Sequence, residues 1–100
     1  MEEISVFTSM VEELGTEILK LSDRRRKLID ELTAQLPEEV RNFTSGVRVM
    51  MLKELAKEKP FEEGRRMMNQ LDRIDTLGED IRKLLAIKED LSEIMEEINY

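Results

Sequence analysis

The sequence predicts an all-α fold, a small bundle of three helices in the order long, short, long, with coiled-coil character. Three observations carry this. Apolar residues recur at steps of three and four along Ile4, Phe7, Val11, Leu14, Ile18 and Leu21, then Leu28 and Leu32, with only Arg25 interrupting. A second seam of the same period runs through Ile74, Leu77, Ile81, Leu84, Leu91, Met95 and Ile98, interrupted by Lys88. The 100 residues are 40% hydrophobic and 39% charged with only four aromatics, a mix that suits amphipathic helices and is poor for a β-sandwich.

The first helix is expected from about Glu3 to Leu36. Gly15 lies inside it and is tolerable at a cost of about 1 kcal/mol relative to Ala. Pro37 ends it or opens the next helix, where Glu38 and Glu39 suit the positive end of the helix dipole. A second helix is expected from Pro37 to Glu58, with Val40, Phe43, Val47, Met50 or Met51, and Leu55 as its apolar set. Thr44-Ser45-Gly46 is its weak point, and Ser45 is a candidate cap for a fresh start. The third helix begins at Pro60. Thr76 and Glu79 have capping-box spacing beside Gly78, so a turn there, making a fourth helix, is the alternative. The period runs through Ile74, Leu77 and Ile81 without a slip and favours one helix of about forty residues.

Length predicts one domain spanning 1–100. With no Cys and no His, disulfides, thiolate metal sites and the commonest general base are excluded. No apolar run is long enough to span a bilayer, and the acidic start MEEISVF lacks the basic opening of a signal peptide. A cytoplasmic location fits best. The net charge of −7 is uneven: residues 1–17 carry −5, 86–100 carry −4, and 18–85 carry +2.

A short middle helix covers only part of either long seam, which leaves turns of Leu and Ile in water. Each exposed Leu or Ile forgoes about 1.5–3 kcal/mol of burial, so self-association into a homodimer or higher oligomer is expected. Arg25 and Lys88 stand at core-type positions and are expected to reach the edge of the bundle. Leu14-Gly15-Thr16-Glu17-Ile18 is echoed by Leu77-Gly78-Glu79-Asp80-Ile81, at an offset that also matches Arg25 to Lys88. Shared heptad letters suffice to produce the echo.

The Met50-Met51 and Met67-Met68 pairs flank the Pro60 turn. Met adapts to irregular surfaces, so all four are candidates for binding a partner helix, with one of each pair expected near the surface. Lys20, Arg24 and Lys27 share a helix face and, with Arg65 and Arg66, form the candidate basic cluster for nucleic acid. The overall acidity and the few aromatics favour a solvated face instead, laced with pairs to Asp23, Asp30 and Glu31. The acids Glu13 and Glu17, and Glu89, Glu93 and Glu97, lie on the polar side of the seams. Without His they make no di-metal motif. No metal, cofactor or catalytic residue is assigned.

Glu17-Ile18-Leu19-Lys20-Leu21, followed by Arg26 and Leu28, resembles the opening helix of the all-helical chorismate mutases. That resemblance implies a small intertwined helical dimer in which Arg and Lys residues grip a dicarboxylate without metal or cofactor. It covers about a dozen residues. Residues 1–17 contain no base where that family has one, and the family's later Lys, Arg-Glu and Gln positions find no counterpart, so no catalytic residue carries over. The leading expectation is a non-enzymatic helical interaction protein: an adaptor, small chaperone or regulatory subunit whose partner is another protein or itself. The alternative is a dimeric nucleic-acid-associated regulator.

Overall fold

A computed structural model describes residues 2–98, with side chains from Ser5 onward, so Ile4 at the start of the first seam has its side chain outside the described part. Three α-helices and one short 3-10 turn are formed among the described residues: α1 Glu2–Thr33, the turn Glu38–Val40, α2 Ser45–Glu58 and α3 Phe61–Ile98. No strand occurs among the described residues. The fold is the small all-α bundle, long, short, long, that the two seams predict. It extends 59 × 27 × 16 Å.

α1 stops at Thr33, three residues earlier than Leu36. Leu36 precedes proline, which disfavours helical backbone, and the chain tightens into i→i+3 turns in which Gln35 and Leu36 donate to Leu32 and Thr33. Arg41 then caps the exposed end. Its Nε donates to the Leu36 carbonyl and its Nη2 to that of Ala34, at 3.1 and 3.2 Å. Leu36 itself folds back into the core.

The expected helix from Pro37 to Glu58 is two pieces. Only Glu38–Val40 is helical after Pro37, and α2 restarts with Thr44 as its N-cap and Ser45 as its first residue. The break resets the helical phase. Val49, Leu52 and Ala56 face the core, whereas Val47 and Met50, expected to be its apolar face, point outward. Phe43 is exposed as well. α2 ends where Lys59 turns extended before Pro60.

α3 runs unbroken from Phe61 to Ile98, so the alternative fourth helix at Thr76 does not form. Glu62 and Glu63 occupy its first turn, where the dipole favours acids. Gly64 is buried at the crossing with α2: a Cβ there would stand 2.6 Å from the Ala56 carbonyl oxygen. Only a hydrogen fits, so Gly64 sets how closely the two helices meet.

The dry core lies at one end of the molecule, which we call the base. Ile29 and Leu32 of α1, Val49 and Leu52 of α2, and Leu71 and Ile74 of α3 meet there. Arg48 pins α2 to α1, with Nη1 donating to Thr33 Oγ1 at 3.1 Å and lying 3.4 Å from Asp30. Lys53 reaches Asp75 of α3 at 2.8 Å. Beyond the base, α1 and α3 continue alone as an antiparallel two-helix arm. From Phe7 to Leu21 and from Leu77 to Met95 every seam residue is only half-buried, because no third helix covers it.

Arg25 and Lys88 cross this arm in matching ways. Arg25 Nε lies 3.4 Å from where a Cβ of Gly78 would be, and Lys88 Nζ lies 3.8 Å from that of Gly15. The internal echo is therefore a contact pattern, since each seam cation lies over the glycine of the other helix. Both side chains are half-buried. Arg25 Nε has no hydrogen-bond partner among the described residues.

Candidate functional site

The most apolar concave surface lies on the outer side of α2. It is a groove of about 1080 Å³, floored by Leu36, Val47, Met50, Met51, Leu55 and Met68 and rimmed by Arg41, Lys53, Lys57, Glu54 and Glu58. Its origin is local. The Pro37 turn folds the chain back beside α2, and the reset of helical phase turns Val47 and Met50 outward. Met50 is 68% exposed, an unusual position for a large apolar side chain.

Three of the four candidate methionines meet in this groove. Met67 does not: it is buried in the core at 4% exposure, between α2 and α3. Met50 is exposed and Met68 half-buried, so in each pair one member lies nearer the surface than its neighbour, as the step of about 100° between adjacent helical residues favours. Val47 and Leu55 join the groove, and the apolar period of residues 47–55 contained that signal. Which side of α2 faces out depended on where the helix restarted.

The basic candidates do not gather into one patch. Arg65 and Arg66 lie at the base, and Arg66 borders a hollow with Lys59 and Arg73. Arg24 shares a second hollow with Leu28, Leu77 and the same Arg73. Arg24, Arg73 and Arg66 thus follow one another along one flank, and Arg73 is the member that sequence reasoning missed. Lys20 and Lys27 are exposed on α1. The expected pairing with neighbouring acids does not form for Lys20, Arg24 or Lys27. Asp23 pairs with Arg26 at 3.0 Å, and Asp30 faces Arg48. Among the described residues none of Lys20, Arg24, Lys27, Arg66 and Arg73 forms an ion pair.

No three acidic side chains among the described residues gather to hold a metal ion. No described helix is long and apolar enough to cross a membrane. Comparison with protein-family models, curated proteins and solved structures finds no match for this chain. What the geometry offers is shape and apolar area: a methionine-rich groove at the base and an arm whose seam is half in water.

Proposed function

We propose that this chain is a non-enzymatic helical interaction protein, an adaptor, small chaperone or regulatory subunit, that takes an amphipathic helix of a protein partner into the α2 groove and also self-associates. The observation that carries this reading is the exposure of Met50 beside Met51 and Met68 over an otherwise dry core. Such a surface is costly in water and suits a helix laid along it with its apolar face inward. Methionine side chains repack around differing partners, which fits an adaptor better than a site for one rigid ligand. A cytoplasmic setting is compatible with this reading, since a chain without cysteine is indifferent to the redox state of its compartment.

A fluorescent amphipathic peptide with leucines in heptad order tests the groove. Its anisotropy should rise on titration with the wild-type chain and stay flat with Met50→Asp or with a control peptide carrying Ala for Leu. Equal binding by Met50→Asp removes the groove from the proposal.

The nucleic-acid reading draws on the succession Arg24, Arg73 and Arg66. Asp72 and Glu63 line the same hollows, and the chain holds three Phe, one Tyr and no Trp for base stacking. Salt-sensitive gel retardation of DNA or RNA would support it, and no retardation at low salt would remove it.

A further inference from the structure

The antiparallel arm brings two acidic segments of the chain together. Segments 2–17 and 86–98, carrying −5 and −4, form the free tip, while the +2 of residues 18–85 lies towards the base. The molecule is therefore strongly polarised along its length.

One flank of the arm concentrates this polarity. Arg66, Arg73, Ile87 and Ile94 are spaced by multiples of seven, so they follow one stripe of α3; Met10 and Arg24 follow one stripe of α1 in the same way. Arg24 and Arg73 line a single hollow, so the two stripes border the same flank. α2 covers the opposite side, where Ile29 and Leu71 are buried, and leaves this flank open along its length. Towards the tip the flank is apolar and acidic: Val6, Met10 and Glu13 share a hollow, and Ile87 and Ile94 are exposed. Towards the base it is basic, with Arg24 and Arg73 beside half-buried Leu28 and Leu77, Asp72 the one acid lining their hollow, and neither arginine in an ion pair among the described residues.

We infer that this flank binds a second copy of the chain, side by side and antiparallel about a two-fold axis. Met10 of each copy then seats over the Leu28–Leu77 hollow of the other, and Glu13 and Glu17 flank the other copy's Arg24, whose hollow Arg73 shares. The inference rests on the reading of the chain as a self-associating helical protein and adds the face, the direction and the charges. Charge selects the direction, because a parallel pair sets two −9 tips side by side and an antiparallel pair sets each beside unpaired cations. A two-fold contact uses one surface twice and closes, which this tip-to-base segregation permits. The area suffices. From Val6 to Lys27 the arm is about 33 Å long at 1.5 Å per residue and about 20 Å wide across two helices. That is roughly 650 Å², near the ~800 Å² per partner of a standard stable interface.

Sedimentation velocity on the full chain, across protein and salt concentration, tests this. The wild type should run as a dimer. Met10→Asp should run as a monomer with an unchanged helical circular dichroism spectrum. Two charge-swapped variants, Glu13→Lys/Glu17→Lys and Arg24→Glu/Arg73→Glu, should each be weakened at least tenfold in self-association, and their equimolar mixture should recover the dimer as a heterodimer. A dimer indifferent to both swaps overturns the inference while leaving self-association standing, as does a dimer lost in Met50→Asp but kept in Met10→Asp. A wild type monomeric at every concentration overturns both.

Discussion

The Arg25 guanidinium lies across the face of Gly78, with its Nε 3.4 Å from where a Cβ would stand and without a hydrogen-bond partner among the described residues. A buried donor left unpaired costs about 1–3 kcal/mol. Replacing it with an apolar chain of similar length should therefore help. Arg25→Met is expected to raise stability by about 1 kcal/mol, read as a higher urea midpoint at unchanged slope. A lower midpoint would mean that the arginine makes a favourable contact with water or an acid.

Gly64 and Gly15 should respond oppositely to alanine. At Gly64 the added Cβ meets the Ala56 carbonyl oxygen at 2.6 Å, which is backbone and cannot step aside. Gly64→Ala should cost about 2 kcal/mol, within the usual range for overpacking. At Gly15 the nearest atom is the flexible end of Lys88 at 3.8 Å, an ordinary contact. Gly15→Ala should gain about 0.5–1 kcal/mol from helix propensity alone. Thermal melts of the two variants beside the wild type check both signs.

Arg48 ties the start of α2 to α1 through Thr33 and Asp30, and its side chain is only 15% exposed. Hydrogen bonds from a charged donor in such a setting contribute about 1.5–3 kcal/mol. Arg48→Ala should lose stability of that order in chemical denaturation, whereas Arg26→Ala, which breaks the exposed pair with Asp23, should change it by less than about 0.5 kcal/mol.

Backbone hydrogen exchange should divide the molecule. Amides around Leu52 and Leu71 sit in the dry core and should exchange only through global unfolding. Amides around Leu14 and Leu84 lie in the half-covered arm and should exchange faster in dilute solution. Their protection should rise with protein concentration if a second copy covers the arm. Uniform protection at all dilutions would show the arm to be as stable as the base.

A chorismate turnover assay should give no rate above the uncatalysed one, because residues 1–17 offer no cation to grip a dicarboxylate. Measurable turnover would revive the chorismate mutase resemblance of the first helix.

Part of the candidate site was legible before any coordinates. The two methionine pairs stood out as adaptable apolar residues, and adjacency on a helix favoured one of each lying nearer the surface. That it would be Met50 and not Met67 that lay most open was not legible. It follows from the restart of α2 at Ser45, which sets which residues of the helix face the core. Gly64 gave no signal either, since its role exists only where α2 and α3 cross.

The amino-acid order alone determined the helical class, the two long seams, the stops near Pro37 and Pro60 and the continuity of α3 through Gly78. These follow from three-four periodicity and from backbone rules that act over a few neighbouring residues. Tertiary structure decided which face of α2 is buried, that Arg25 and Lys88 each lie over a glycine of the other helix, and that two acidic segments distant in the chain meet at one tip. Those outcomes depend on contacts between residues tens of positions apart, where packing and the direction of each helix outweigh local preference.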